Sequence, residues 1–431
     1  MKTNRYQKSL ELHESGSRYL FDAIRFARPI LESGKGSYVI DVDGNSYLDL
    51  NSGQFCAVFG HSYEPFTQLV SKQLGKLFHT STATLSPEIF SASKRISEVT
   101  SEGLNKTIFL STGAEANECA MRYARRITGK TGIMAFSRGY HGLTLGTQHL
   151  TMSGRFAYPN DKDNYLFLDL PYECFNKESF APSVCDEILN NLEDLMRRTS
   201  NKTAAFILEP ILGVAGMVFL PSELLTSIFK ICRRNKVLII VDECQTGFAR
   251  CGSWFMYQQA NEIPDILVCA KAAGLGLPVS FVTFREELID QNVTSMVHFS
   301  SHQNEPLSAS VVSFVIDTIQ QNELIERSMI IGEYFFRRLL EVQEKVSLVV
   351  NARHHGLMLA FDIDESIHAN NKSITSDLIG KMEDNGVLMQ AIRQGRTFRI
   401  IPNLFILEKD IDFFAGALLK SVREVEEMIS N

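Results

Sequence analysis

Residues 237–247, VLIIVDECQTG, and residues 264–278, PDILVCAKAAGLGLP, each place a charged residue at the end of a short apolar run. Such runs, bounded by polar residues, are typical of strands buried on both faces of a parallel sheet. Ligands of these sheets bind in the crevice at the carboxyl ends of the strands. Asp242 and Lys271 stand at those ends, so the sequence predicts a carboxylate and an amine in one ligand-binding crevice.

The same design extends outward from about residue 62 to residue 320. Strand-like runs at 106–110, 132–137 and 204–208 alternate with amphipathic helical patterns, one of which covers 221–235. Short apolar strands separated by helices predict an α/β fold in which helices cover both faces of a mainly parallel sheet. Ser111 follows the first of these runs, and Glu209 follows the third.

The two flanks of this region have different patterns. Residues 37–50, SYVIDVDGNSYLDL, alternate apolar and polar residues around Asp-Gly, which predicts a β-hairpin. Beyond residue 325, helical patterns and strand-like runs indicate a smaller α+β domain that ends in an amphipathic helix. We therefore predict an N-terminal segment with a hairpin that packs with the small domain, a large ligand-binding domain and a small C-terminal domain, covering residues 1–60, 61–320 and 321–431.

Composition limits the class of partner. The 431 residues are 45% hydrophobic and carry a net charge of −7, as expected of a globular protein without the basic surface that nucleic acid requires. Small molecules are the expected partners. Eight cysteines without a CxxC pair indicate reduced thiols, and no apolar run is long enough to span a membrane or act as a signal peptide. We expect no membrane partner and a cytoplasmic location.

The segment Ser111-Thr112-Gly113-Ala114, followed by EANE, lies between a predicted strand and a predicted helix. Free backbone N–H groups and the helix dipole attract an anion such as a phosphate at this position. The alternative is an ordinary Ser/Thr helix cap with a glutamate nearby.

Asp242 and Lys271 each allow a chemical and a structural interpretation. A buried carboxylate needs a partner, and a protonated pyridine nitrogen is one, whereas an ordinary strand-end Asp caps the next turn. A lysine confined among small residues loses hydration, and its neutral amine can attack an aldehyde, whereas most lysines lie at the surface.

Taken in order with Glu209-Pro210, residues 242–247 and Pro264-Asp265, these motifs resemble those of the class III (subgroup II) aminotransferases of pyridoxal phosphate (PLP) fold type I, from about residue 36 to the C-terminus. The resemblance implies an aspartate aminotransferase-like fold with a mainly parallel seven-stranded sheet in the large domain. It also implies PLP as cofactor and amino-group transfer between an amino acid or amine and a keto acid or other carbonyl compound.

The resemblance implies a role for each motif residue. Lys271 would carry the cofactor as a Schiff base and shuttle a proton, Asp242 would pair with the ring nitrogen, and Tyr140 would stack on the ring. Gln245 would face the phenolic oxygen, and the segment at 111–114 would bind the phosphate. The implied cofactor-binding residues are Ser111, Thr112, Gly113, Ala114, Tyr140, His141, Glu209, Asp242, Gln245, Lys271 and Ser301.

Ser301 stands where the family usually has a threonine that reaches the cofactor phosphate of the neighbouring subunit. The resemblance therefore implies a homodimer with shared active sites. Serine retains the hydroxyl of threonine but is less restricted at χ1.

The substrate side is implied to include Gln54, Phe55, Tyr140 and Arg399. Arg399 matches the arginine that holds a substrate carboxylate, a task that suits a planar guanidinium, and some relatives pair it with the residue that matches Glu209. The alternative for Arg399 is a structural salt bridge.

Within the family, the segments SGQFCAVFGH (52–61) and SHQNEPL (301–307) are most similar to the 2,2-dialkylglycine decarboxylases. The match to Gln54 in those enzymes lies beside the scissile carboxylate, so decarboxylation-dependent transamination is an alternative reaction. Gln54 could equally be a pocket-lining amide. The sequence differs from the decarboxylase pattern at Phe55, Tyr140 and Gly213-Val214. These differences bear on the identity of the substrate rather than on the cofactor.

Two further alternatives concern the reaction and a metal ion. An epimerase or aminomutase could use the same scaffold, whereas a non-catalytic homologue is disfavoured because Lys271 and Asp242 are both present. The decarboxylase likeness also implies an alkali-metal ion near Thr82, Ser301 and Glu305, with oxygen ligands. Ordinary loop polarity is the simpler explanation for these three residues.

Overall fold

The computed structural model describes residues 5–21, 29–154, 164–175, 180–289, 293, 296–371 and 373–430. The α-helices are α1 (Gln7–Gly16), α2 (Ser52–Phe55), α3 (Glu64–Leu74), α4 (Pro87–Val99), α5 (Gly113–Thr128), α6 (Pro182–Thr199), α7 (Ser222–Arg234), α8 (Pro306–Gln321), α9 (Leu324–Gln343), α10 (Glu365–Asn370), α11 (Ile374–Asp384) and α12 (Glu408–Ser430). The strands are β1 (Leu31–Lys35), β2 (Tyr38–Asp41), β3 (Ser46–Asp49), β4 (Leu104–Leu110), β5 (Gly132–Phe136), β6 (Tyr165–Leu168), β7 (Thr203–Leu208), β8 (Ile211–Leu212), β9 (Val218–Phe219), β10 (Leu238–Asp242), β11 (Ile266–Cys269), β12 (Ser280–Arg285), β13 (Val349–His355), β14 (Met358–Ile363), β15 (Val387–Leu388), β16 (Gln390–Ile392) and β17 (Thr397–Ile400).

A seven-stranded sheet forms the centre of the molecule, in the order β4-β12-β11-β10-β7-β5-β6. β12 runs antiparallel to both of its neighbours, and the other strand pairs are parallel. The predicted α/β fold with a mainly parallel seven-stranded sheet is therefore confirmed. Because β10 and β11 are parallel neighbours, with Asp242 opposite Val268, Asp242 and the residues after Cys269 meet at one edge of the sheet.

The sheet is buried on both faces because its inner strands are apolar at nearly every position. Successive side chains point to opposite faces, which divides them between two cores. Ile240 and Val268 belong to the core that includes residues of α5. Ile239 and Leu267 belong to the larger core, which includes residues of α6 and α7. The amino end of α5 thereby reaches the carboxyl edge of the sheet.

The hairpin predicted at residues 37–50 is present. β2 and β3 pair antiparallel, with Tyr38 opposite Leu48, and Gly44 in the turn has a φ of +86° that favours glycine. The Asp41 side chain stabilises the turn by accepting hydrogen bonds from the Asn45 amide and the Tyr47 hydroxyl.

The N-terminal hairpin is joined to the C-terminal part of the chain, because β3 pairs in parallel with β15. A four-stranded sheet, β13-β14-β17-β16, completes this part and carries Arg399 in β17. The boundaries of the three-part division stay a prediction. Among the described residues, no helix combines the length and the apolar character that crossing a membrane requires.

Candidate active site

A cavity of about 420 Å³ lies at the carboxyl ends of β10 and β11. Three segments enclose the cavity: the first turn of α5, the turn at residues 139–142 and the segment at 276–279. Most of the predicted cofactor-binding residues line this one cavity. They are Ser111, Thr112, Gly113, Ala114, Tyr140, His141, Glu209, Asp242, Gln245 and Lys271.

The amino end of α5 supplies an anion site in the cavity wall. Thr112 is the N-cap, and its Oγ1 accepts a hydrogen bond of 3.2 Å from the Glu115 amide, while Glu115 Oε2 accepts one of 3.0 Å from the Ser111 amide. The first amides of a helix have no acceptor within the helix, so those at Gly113 and Ala114 remain for a ligand. The helix-cap and phosphate interpretations of this segment are therefore compatible.

The turn at 139–142 approaches α5 so closely that Gly142 is required. Its φ is +108°, and a Cβ at this position would lie 2.4 Å from the Ala114 Cβ. The close approach of Gly142 to Ala114 keeps the preceding residues, Tyr140 and His141, beside the cavity.

Asp242 is a buried carboxylate with three hydrogen bonds. Its Oδ2 accepts from Asn117 Nδ2 at 2.7 Å and from His141 Nδ1 at 2.9 Å, and its Oδ1 accepts from the Cys244 amide at 3.1 Å. Burial raises the pKa of Asp242, but the hydrogen bond and charge of His141 and the charge of Lys271 outweigh it, so that the pKa lies below its ordinary value. Asp242 is therefore an anion in the cavity.

Lys271 begins a short 3-10 turn directly after β11 and has a φ of +48°, a left-handed conformation that side chains rarely adopt. Such backbone conformations occur where the surrounding structure fixes a functional side chain. The lysine is half-buried, lies between Ala270 and Ala272, and lines the same cavity as Asp242.

Several buried polar atoms of the cavity have no partner among the described residues. They are Gln245 Oε1, His141 Nε2 and Asn117 Oδ1. Gly213 lies so close to the Gln245 oxygen that a Cβ would approach it to 2.0 Å. Because unpartnered buried polar atoms cost free energy, their concentration here indicates a bound polar ligand. A phosphate-bearing pyridine aldehyde fits this set of an anion site, a carboxylate, an amine and an amide.

Arg399 lies outside the cavity wall and faces Phe55, with its Cζ 5.5 Å from the ring centroid. It donates to Gln390 Oε1, its Nε has no partner, and it forms no salt bridge with the described residues. Burial lowers the pKa of Arg399 to about 10, against the opposing charge of Glu209. Arg399 is therefore a buried cation at neutral pH.

Glu209 is buried and accepts hydrogen bonds from the Tyr140 amide at 2.8 Å and the Gly213 amide at 3.3 Å. Burial and the charge of Asp242 raise its pKa to about 7, although His141 and the two amides lower it. Its carboxyl group can therefore be neutral or charged near neutral pH.

Besides Arg399 and Phe55, four predicted residues lie outside the cavity wall in the single chain. Gln54, with a φ of +57°, and Ser301 are both exposed. Thr82 Oγ1 donates to the Ser300 carbonyl at 2.8 Å, and Glu305 contacts two histidines. The alkali-metal site proposed at Thr82, Ser301 and Glu305 therefore stays a prediction.

Two residues that the sequence analysis did not single out belong to the site. Asn117 supports Asp242, and Cys56 lines the cavity. Asn117 lies in the segment at 111–118, four residues after Gly113. This spacing places both residues on one face of a helix, and it was the sequence signal available for Asn117.

Comparison with known proteins points to one family. The family model described as aminotransferase class-III matches residues 25–422. The acetylornithine aminotransferase of Archaeoglobus fulgidus is 31% identical, over 93% of this chain and 97% of that protein. The mitochondrial alanine–glyoxylate aminotransferase 2 of Pongo abelii is 28% identical, over 95% and 84%. A transaminase structure from a marine Virgibacillus superimposes with a TM-score of 0.90 at 22% identity, over 97% of this chain and 100% of that one.

Proposed function

Because this chain belongs to the class-III aminotransferase family and is a PLP-dependent transaminase, we propose that the cavity between Asp242 and Lys271 is its active site. The observation that carries the proposal is the buried anion of Asp242, held by Asn117 and His141 in the same cavity as Lys271. A buried carboxylate with this support suits a cationic partner such as a pyridinium nitrogen.

When bound, PLP supplies an aldehyde that reacts with amines and a ring that withdraws electrons from the substrate carbon. The amides of Gly113 and Ala114 would bind its phosphate at the amino end of α5. Asp242 would keep the proton on the ring nitrogen, Tyr140 would cover the ring face, and Gln245 would donate from its amide to the phenolic oxygen.

Lys271 would hold the cofactor covalently through Nζ. Once a substrate amine has displaced it, the free Nζ would move a proton between the substrate carbon and the cofactor carbon. Its place at the end of β11, beside small residues, leaves room for a planar ring next to the amine.

The substrate is proposed to be an amino acid whose carboxylate binds Arg399. This guanidinium is buried, cationic, stacked on Phe55 and without a salt bridge among the described residues, so it can accept a bidentate carboxylate. The names of the two relatives above, acetylornithine and alanine–glyoxylate aminotransferase, refer to amino-acid substrates of this kind.

Decarboxylation-dependent transamination is the second candidate, and its support is limited to the sequence segments 52–61 and 301–307. Gln54, the residue on which it depends, is exposed in the single chain, and the relatives above are transaminases. Release of CO2 from 2-aminoisobutyrate would favour the decarboxylase. Amino transfer from alanine by a protein that releases no CO2 from 2-aminoisobutyrate would favour the transaminase.

We also propose a homodimer with shared active sites. Large apolar side chains are exposed at 74–90 and 296–299, two segments that the Thr82–Ser300 hydrogen bond joins beside Ser301. They are Leu74, Leu77, Phe78, Leu85, Phe90, Met296 and Phe299. Ser301 would extend from this surface to the phosphate site of the partner.

The proposal for Lys271 is tested by trapping. Purified protein should absorb visible light, lose this band on borohydride reduction, and then carry the cofactor mass on the peptide containing Lys271. A Lys271→Ala variant should lack the label and the activity, whereas the surface variant Lys94→Ala should keep both. Full turnover by Lys271→Ala, or a label on another lysine, would refute the assignment.

A further inference from the structure

A second group of side chains with metal-ligand chemistry lies outside the cavity. His79 follows α3, and His302 and Glu305 precede α8, so two loops far apart in the sequence meet here. His79 Nδ1 lies 2.5 Å and His302 Nδ1 lies 2.6 Å from the same atom, Glu305 Oε1. One ligand atom from each residue lies within 4.8 Å of the others, and the imidazole centroids are 5.4 Å apart.

The convergence of two imidazoles on one carboxylate oxygen is the feature that indicates an ion. Zn²⁺ binds imidazole nitrogen and carboxylate oxygen at about 2.0–2.2 Å, which in a tetrahedron separates the ligand atoms by about 3.4 Å. To reach this geometry, the two imidazole nitrogens would have to move away from the Glu305 oxygen, because their separations of 2.5 and 2.6 Å are shorter than about 3.4 Å. They have that freedom, because the His79 and His302 side chains are 43% and 65% exposed, while Glu305, at 14%, provides a fixed point.

We propose that His79, His302 and Glu305 form a binding site for a divalent transition-metal ion, with Zn²⁺ as the best match. Imidazole nitrogen is a preferred ligand of zinc, copper and nickel, whereas alkali ions take oxygen ligands. The ion proposed here thus differs in class from the alkali ion implied by the sequence. Three protein ligands leave a fourth position for water.

The position of the site suggests what an ion would do. The same two loops are joined by the hydrogen bond from Thr82 Oγ1 to the Ser300 carbonyl, and His302 is the neighbour of Ser301. An ion at the cluster would cross-link these loops and restrict the Ser301 segment. Metal binding is measured without turnover, so the test of this site does not depend on activity.

The test uses the full-length protein with its cofactor, treated with a chelator and then equilibrated with Zn²⁺ by dialysis. Elemental analysis should find one more Zn²⁺ per chain in the wild type than in His79→Ala, His302→Ala or Glu305→Gln. Zn²⁺ should raise the Tm of the wild type but not of the three variants. In parallel, Co²⁺ should give visible d–d bands of tetrahedral coordination that the variants lack.

Controls separate this site from other metal binding and from misfolding. His13→Ala removes a surface histidine in α1 and should bind Zn²⁺ like the wild type. Cofactor absorbance and the metal-free Tm of His79→Ala and His302→Ala should match the wild type, because these two histidines are exposed. Equal Zn²⁺ binding by the wild type and all three variants would overturn the proposal, as would displacement of the ion by excess K⁺.

Discussion

At the scale of single residues, Asn117 holds the carboxylate of Asp242 in place. The Asn117 amide donates 2.7 Å to Asp242 and 3.0 Å to the His141 carbonyl, so it fixes both residues. A hydrogen bond to a charged group contributes about 1.5–3 kcal/mol. We predict that Asn117→Ala lowers kcat/KM about tenfold to a hundredfold, and that Asn117→Asp lowers it further because a second carboxylate raises the pKa of Asp242.

Steady-state kinetics and the pH dependence of the cofactor absorbance measure this effect. The matched control is Asn105→Ala, which removes an amide that donates to the exposed Glu286 and should leave kcat/KM unchanged. Equal activity of Asn117→Ala and the wild type would show that His141 and the Cys244 amide suffice to hold Asp242.

Glu209 provides a prediction about pH. Burial raises its pKa from the ordinary 4.5 to about 7, so folding favours the protonated form. Its contribution to stability is therefore complete below about pH 4.5 and is lost as the pH rises through about 7. Glu209→Gln, which stays neutral, should gain stability relative to the wild type between pH 5 and pH 8, in denaturant unfolding of cofactor-free protein. Parallel stability curves for the two proteins would contradict the raised pKa.

The sequence identified the residues with a chemical signature but not those that support them. Asp242 and Lys271 follow apolar strands, and parallel strands bring their carboxyl ends together, so their proximity was predictable. The spacing of Asn117 from Gly113 indicates a shared helix face, but not that the Asn117 side chain reaches a carboxylate on a different strand. His79 and His302 are separated by more than half of the chain, and only the fold brings them together.

At the scale of elements, the contact between α5 and the turn at 139–142 positions the phosphate site. Gly142→Ala would place a Cβ 2.4 Å from the Ala114 Cβ at a φ of +108°. Overpacking of this kind costs about 1–3 kcal/mol in addition to the backbone strain. We predict that Gly142→Ala lowers both the free energy of unfolding and the affinity for PLP, because the amino end of α5 must move.

The comparison variant is Gly103→Ala, where the φ is +84° but no atom lies within 4 Å of the new Cβ. It should show the backbone strain alone and should keep its affinity for PLP. Cofactor titration and urea unfolding distinguish the two effects, and an unchanged PLP affinity in Gly142→Ala would show that the turn does not position α5.

The strands of the central sheet show which structural features can be predicted from the sequence. The apolar runs at 204–208 and 237–241 became β7 and β10, because buried strands have a continuous apolar pattern, and the run at 106–110 became the partly buried edge strand β4. β12 was not predicted. It follows Lys271 after a short connection and returns antiparallel to β11, a direction that depends on this connection rather than on the strand's composition.

At the scale of the whole molecule, the single chain leaves part of the proposed site incomplete. Ser301 and Gln54 are exposed and lie outside the cavity, although the proposed cofactor site around Asp242 lies within one chain. A sequence contains no direct record of which surfaces meet between copies. The exposed apolar side chains at 74–90 and 296–299 indicate such a surface, since burying them against a second copy removes them from water.

Phe90 tests whether this surface joins two copies. Its side chain in α4 is 64% exposed, and a lysine there would have to be desolvated in a dimer but would be solvated in a monomer. We predict that Phe90→Lys shifts the protein toward monomer in light-scattering measurements and lowers activity in the same proportion, because each site would lose the partner's Ser301. Met428→Lys makes a similar change at a 54% exposed position in α12 and should leave the dimer and the activity intact. A monomer that kept full activity would show that the cavity of one chain is sufficient.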